Sequence, residues 1–253
     1  MEKKMKTRLF FAARFLLLAG IVCSCQYGND ADFSGGEGTG GSLARFTVTG
    51  NTLYTVDPAA LKVFDLSNPE KPQLKRNLPV GFGVETIFPY GENLFLGTAT
   101  GMYIYDIRIP ERPEKISFYE HVYSCDPVVT DGNYAYVTLT TVNQQCWHSI
   151  NELQIIDIRN RLKPALVKQV PLTQPMGLAV RNDTLWVCDD GLKLFDVKDK
   201  SDIKLLRHFT GIQAYDVIWK DNLVLVTGDT GFVQYKIENN GIRKLSEIYV
   251  QND

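Results

Sequence analysis

The chain has 253 residues, 44% hydrophobic and 11% aromatic, enough apolar material for one or two ordinary globular domains. Its formal charge of −2, with no Lys/Arg stripe past residue 14, excludes a nucleic-acid-binding surface. Twelve Tyr and thirteen Phe, beside abundant Val, Ile and Thr, tilt the composition toward β-structure.

The first 25 residues read as an export signal. Lys3, Lys4, Lys6 and Arg8 form a basic leader, and Leu9 to Val22 is an apolar run interrupted only by Arg14. That run is shorter than the roughly 20 apolar residues a membrane span needs, and it fits the central stretch of a secretory signal. It ends in Val22-Cys23-Ser24-Cys25, which resembles the lipobox of bacterial lipoproteins: an aliphatic residue at −3, a small residue at −1, then Cys. Cys25 fits with Ser24 before it, whereas Cys23 would place bulky Val22 at −1. Cys25 is therefore expected to be the lipidated first residue of an exported, membrane-anchored protein. An ordinary cleaved signal with incidental cysteines and a retained helix are the alternatives.

Residues 26–42 are rich in glycine and have almost nothing to bury, as expected of a flexible tether. Asp30 and Asp32 are a thin version of the acidic export mark of Bacteroidetes lipoproteins, so either face of the outer membrane fits. Gly36 to Gly41 spells G-x-G-x-x-G, but without the preceding strand and following helix that a dinucleotide site needs, it reads as linker. No cofactor is implied.

From residue 43 to 253 the sequence repeats itself. A five-residue strand ending in Asp recurs as Leu61–Asp65, Met102–Asp106, Leu153–Asp157 and Leu192–Asp196, with a degenerate fifth copy at Phe232–Lys236. The copies end 41, 51, 39 and 40 residues apart. Each is preceded by a polar turn and an apolar strand, as in Gly50-Asn51-Thr52-Leu53-Tyr54 and Asn182-Asp183-Thr184-Leu185-Trp186. Asn, Asp and Gly tolerate the positive φ that hairpin turns require. Each repeat thus predicts four short strands, and units of about 40 residues bury their faces by stacking radially. Five repeats predict an all-β, five-bladed β-propeller of four-stranded antiparallel blades. The chain starts on an inner strand and ends on an outer one, so no terminal strand completes a neighbour's sheet. The ring is expected to close by sheet-on-sheet packing alone. An open arc and a β-sandwich are the alternatives.

The L-x-[VIL]-x-D strands followed by Ser67-Asn68-Pro69-Glu70-Lys71-Pro72 resemble the LVIVD repeat of bacterial propeller lipoproteins. The resemblance covers about residues 44–250 and implies fold and address, not a reaction. Lys236 departs from it by standing where Asp belongs. The repeat aspartates fall at the same place in successive blades, so they are expected to cap turns and not to converge on a substrate.

Cys125 and Cys146 are expected to form a disulfide that pins the third repeat's insertion, Thr141 to Asn151. Unpaired thiols or a metal pair are the alternatives. Zinc would need four ligands and only His148 is near, so no metal site is expected. Cys188 lies in an apolar strand and reads as a buried thiol. Trp147 and His148 on the inserted loop, with Glu85, Asp126, Tyr215 and Asp216 near the starts of inner strands, are the candidate ligand-binding residues. In this alignment Glu85 and Asp126 match Met176 and Ala214. No catalytic motif such as G-x-S-x-G, H-E-x-x-H or C-x-x-C is present. The expected function is binding or scaffolding in the cell envelope, toward a glycan, peptide or envelope protein. A structural subunit of an outer-membrane complex and a hydrolase or lyase using Glu85 and Asp126 are the alternatives.

Overall fold

A computed structural model describes residues 41–122, 127–140, 150–238 and 241–250. These residues form twenty strands in five sheets, each built from one continuous stretch of chain in meander order. Blade one holds β1 (Phe46–Thr49), β2 (Thr52–Asp57), β3 (Ala60–Asp65) and β4 (Gln73–Pro79). Blade two holds β5 (Val84–Tyr90), β6 (Asn93–Thr98), β7 (Gly101–Asp106) and β8 (Glu114–Glu120). Blade three holds β9 (Val128–Thr130), β10 (Tyr134–Leu139), β11 (Glu152–Asp157) and β12 (Ala165–Pro171). Blade four holds β13 (Leu178–Arg181), β14 (Thr184–Cys188), β15 (Leu192–Asp196) and β16 (Lys204–Phe209). Blade five holds β17 (Ala214–Lys220), β18 (Leu223–Gly228), β19 (Gly231–Glu238) and β20 (Gly241–Tyr249). The protein is a five-bladed β-propeller, with β1, β5, β9, β13 and β17 as successive inner neighbours from blade one to blade five.

Local chemistry accounts for each blade. The residue opening the β1–β2-type hairpin turn has positive φ in all five blades: Gly50 at 57°, Gly91 at 53°, Gly132 at 94°, Asn182 at 53° and Asp221 at 55°. These residue types reach that conformation at little cost. The repeat aspartates cap the next turn as expected. Asp65, Asp106, Asp157 and Asp196 each accept the backbone N–H two residues ahead, at 2.8, 2.8, 3.0 and 2.8 Å.

Four apolar cores hold the blades together, each joining the front of one blade to the rear of the next. Between blades one and two, Tyr54, Val56, Leu61 and Val63 pack on Ile87, Leu94, Leu96, Tyr105 and Ile107. The same arrangement repeats between blades two and three, three and four, and four and five. A polar latch accompanies three of these interfaces, always at the fourth residue past the repeat Asp. Pro110 O accepts from Tyr54 Oη at 2.8 Å, Arg161 Nε donates to Asn93 Oδ1 at 3.3 Å, and Lys200 pairs with Asp131 at 3.6 Å.

The seam between blades five and one differs, and corrects the expectation of closure by sheet packing. Among the described residues no apolar core joins these two blades. Register places Phe46, Ile87, Val128, Leu178 and Val217 at one equivalent ladder position. The last four are 1, 0, 0 and 1% exposed, whereas Phe46 is 63% exposed.

Candidate functional site

What ties the seam is the chain leading into blade one. Gly41 and Ser42, assigned to the tether by composition, are instead buried inside the propeller. Ser42 Oγ donates to Asp216 Oδ1 of blade five at 3.1 Å and accepts from Leu178 N of blade four at 2.8 Å. Ala44 O accepts from Ile87 N of blade two at 2.9 Å. A single short strap therefore bridges three blades. Asp216 also accepts from Val217 N at 2.9 Å and from the Ser42 and Leu43 backbone N–H groups. The approach is close enough to demand glycine on both sides: a Cβ on Gly41 would lie 2.0 Å from Asp216 Oδ2, and one on Gly177 2.2 Å from Oδ1. Burial pushes the Asp216 carboxyl up, opposed by these donors. Buried Cys188 is a free thiol, and burial, with Asp216 nearby, pushes it well up as well.

The strap's first two residues line a cavity of about 450 Å³ on the propeller axis. Its walls are the last residues of four inner strands, Tyr90, Thr130, Arg181 and Lys220, together with Trp219. The site is aromatic and basic. The Arg181 guanidinium lies 6.0 Å from the Trp219 ring centroid and donates to Asp221 O. Trp219 Nε1 donates to that same carbonyl at 3.1 Å, and Tyr90 Oη donates to Asp131 O at 2.9 Å. These bonds fix the rings, so their faces stay presented at little entropic cost. A larger groove, about 660 Å³, lies at the turn of blade four beside Tyr134 of blade three. Lys200 in its wall is engaged with Asp131 and Asp183.

The sequence-predicted site residues divide. Glu85 and Tyr215 are the extra residues of matching bulges in β5 and β17, opposite Gly97–Thr98 and Thr227–Gly228. Register thus matches Glu85 with Tyr215 and not with Ala214, correcting the sequence alignment by one residue. Glu85 is half-buried and Tyr215 exposed. Asp216 is the half-buried acceptor of the strap. Cys25, Cys125, Asp126, Cys146, Trp147 and His148 lie outside the described residues, as does the expected Cys125–Cys146 bridge. The sequence reading missed Tyr90, Thr130, Arg181 and Lys220. Their signal was available, since Tyr90, Arg181 and Lys220 immediately precede the turn residue with positive φ.

Fold and axial cavity together define the class: a repeat-built β-propeller with a ligand-sized hollow at one axial mouth. Two stretches, residues 40–79 and 124–171, match the LVIVD repeat. No curated protein matches the chain in sequence. Among solved structures, a protein from Lactobacillus plantarum is similar at 12% identity and TM-score 0.61, the match covering 78% of this chain and 67% of that one. The periplasmic gluconolactonase PpgL of Pseudomonas aeruginosa is similar at 15% identity and TM-score 0.58, covering 79% and 68%. KlAtg21, solved in complex with the coiled coil of AgAtg16, is similar at 12% identity and TM-score 0.57, covering 78% and 68%. At these identities the likeness is one of fold.

Proposed function

We propose that the protein is a binding module of the bacterial cell envelope, held to the outer membrane by a lipid on Cys25. Its ligand enters the axial mouth walled by Tyr90, Arg181, Trp219 and Lys220. The observation that carries this reading is the composition of that mouth: two aromatic faces beside two cations, on strand ends fixed by a rigid scaffold. Aromatic faces suit the apolar faces of sugar rings, and an Arg–Lys pair suits carboxylates. The ligand class that satisfies both is an acidic glycan. The solved complex of KlAtg21 with a coiled coil supports a binding role by fold analogy, and the gluconolactonase supplies the enzymatic alternative.

The test is retention on an array of acidic and neutral glycans. Wild-type protein is expected to hold uronic-acid polymers. Arg181→Ala and Lys220→Ala should each weaken retention by about tenfold without changing the melting temperature. Equal retention of neutral glycans, or indifference to both substitutions, would move the ligand to another surface. Turnover of a lactone or glycan lost in Glu85→Gln would favour the enzymatic reading. For the address, Cys25→Ala should release the protein from membranes and Cys23→Ala should not.

A further inference from the structure

We infer that the protein self-associates, the rear face of blade one receiving the front face of blade five from a second copy. The rear of blade one presents Phe46, Val48, Leu53, Phe64 and Leu74, with Phe46, Val48 and Leu74 63, 47 and 55% exposed. Lys62 on this face is already paired with Asp57 at 2.7 Å, so covering the sheet strands no lone charge there. In the other four blades the equivalent surface is buried by one kind of partner, the front of a preceding blade. That repeated interface dictates what fits here. Among the described residues, the front face that no neighbouring blade covers is that of blade five. It carries half-buried Leu225 and Phe232 beside Ile248, which is 60% exposed.

Size also favours a pair of copies. Four strands about 4.8 Å apart and about six residues long give a face of about 400 Å². One such contact falls short of a standard interface. A two-fold pair makes two, burying about 800 Å² per partner, which is the standard size.

The experiment is sedimentation velocity on the full chain in density-matched detergent over a wide concentration range. Wild-type protein is expected at twice the chain mass. Phe46→Lys and, separately, Ile248→Glu should each weaken association by about tenfold or more, with melting temperatures that match wild-type at dilutions where all three are monomeric. Mixing the two variants should strengthen association over that of either variant alone, because the mixed pair keeps one contact in which neither face is altered, whereas each variant's own pair keeps none. A wild-type monomer at every concentration would overturn the inference, as would a dimer that survives both substitutions. So would a dimer lost in Phe46→Lys but untouched by Ile248→Glu, which would mean pairing of two rear faces. Variants that associate no more strongly when mixed than alone would overturn it too.

Discussion

Aspartates do two different jobs at the rim and on the axis of this propeller. At the rim, Asp65, Asp106 and Asp157 are half-buried, and a side-chain hydrogen bond acts most strongly on each, from Ser67, Arg108 and Arg159 respectively. Their carboxyls are held below the usual range, Asp65 at about 2. On the axis, Asp216 is also half-buried, but there desolvation outweighs its donors and pushes its carboxyl up. A carboxylate that donors reach through water-accessible turns is stabilised in its charged form. One that must leave water to meet its donors pays desolvation first.

The contrast is sharpest under truncation. Asp216→Ala should cost about 3 kcal/mol, because the hydroxyl and N–H of buried Ser42 and the N–H of buried Val217 lose their acceptor, as does the Leu43 N–H. Chemical denaturation measures this, and a loss no greater than that of Asp65→Ala would erase the distinction. Gly177→Ala should cost about 2 kcal/mol by driving a Cβ into the same carboxylate. Removal of one latch is milder: Tyr54→Phe should cost about 1 kcal/mol through the bond to Pro110 O.

Acidity separates the two groups by sign. A raised folded-state pKa makes the Asp216 contribution largest below its unfolded value, near 3.9, and lost as pH rises through the folded value. The depressed Asp65 behaves oppositely: its contribution is present above about 3.9 and is lost as pH falls through about 2. Thermal melts of Asp216→Asn should therefore lose the acid-side gain that wild-type shows. Those of Asp65→Asn should fall below wild-type at neutral pH and converge with it near pH 2. Identical pH profiles for the two variants would refute the assignment. The Asp65 effect is the smallest of these, because water still reaches the turn and screens the group.

What the sequence disclosed follows the range of each interaction. Strand alternation, turn residues with positive φ, and aspartates capping the N–H two residues on are all local, and each was legible. The strap was not, since Ser42 and Asp216 are 174 residues apart and composition places Ser42 in a linker. The latch recurs at one repeat position, yet uses a carbonyl at Pro110, a guanidinium at Arg161 and an ammonium at Lys200, so no residue type marks it. Likewise Phe46 and Val217 occupy the same ladder position, and only the presence of a covering sheet separates their fates.

The strap also sets how the molecule responds to force. Any tension arriving through residues before Gly41 reaches the Ser42–Asp216 contact before it reaches a strand, so this clasp is the first element to bear load. Because each blade is a continuous stretch of chain, release of the clasp would hand that load to blade one alone, which would peel away while its four neighbours kept their own sheets.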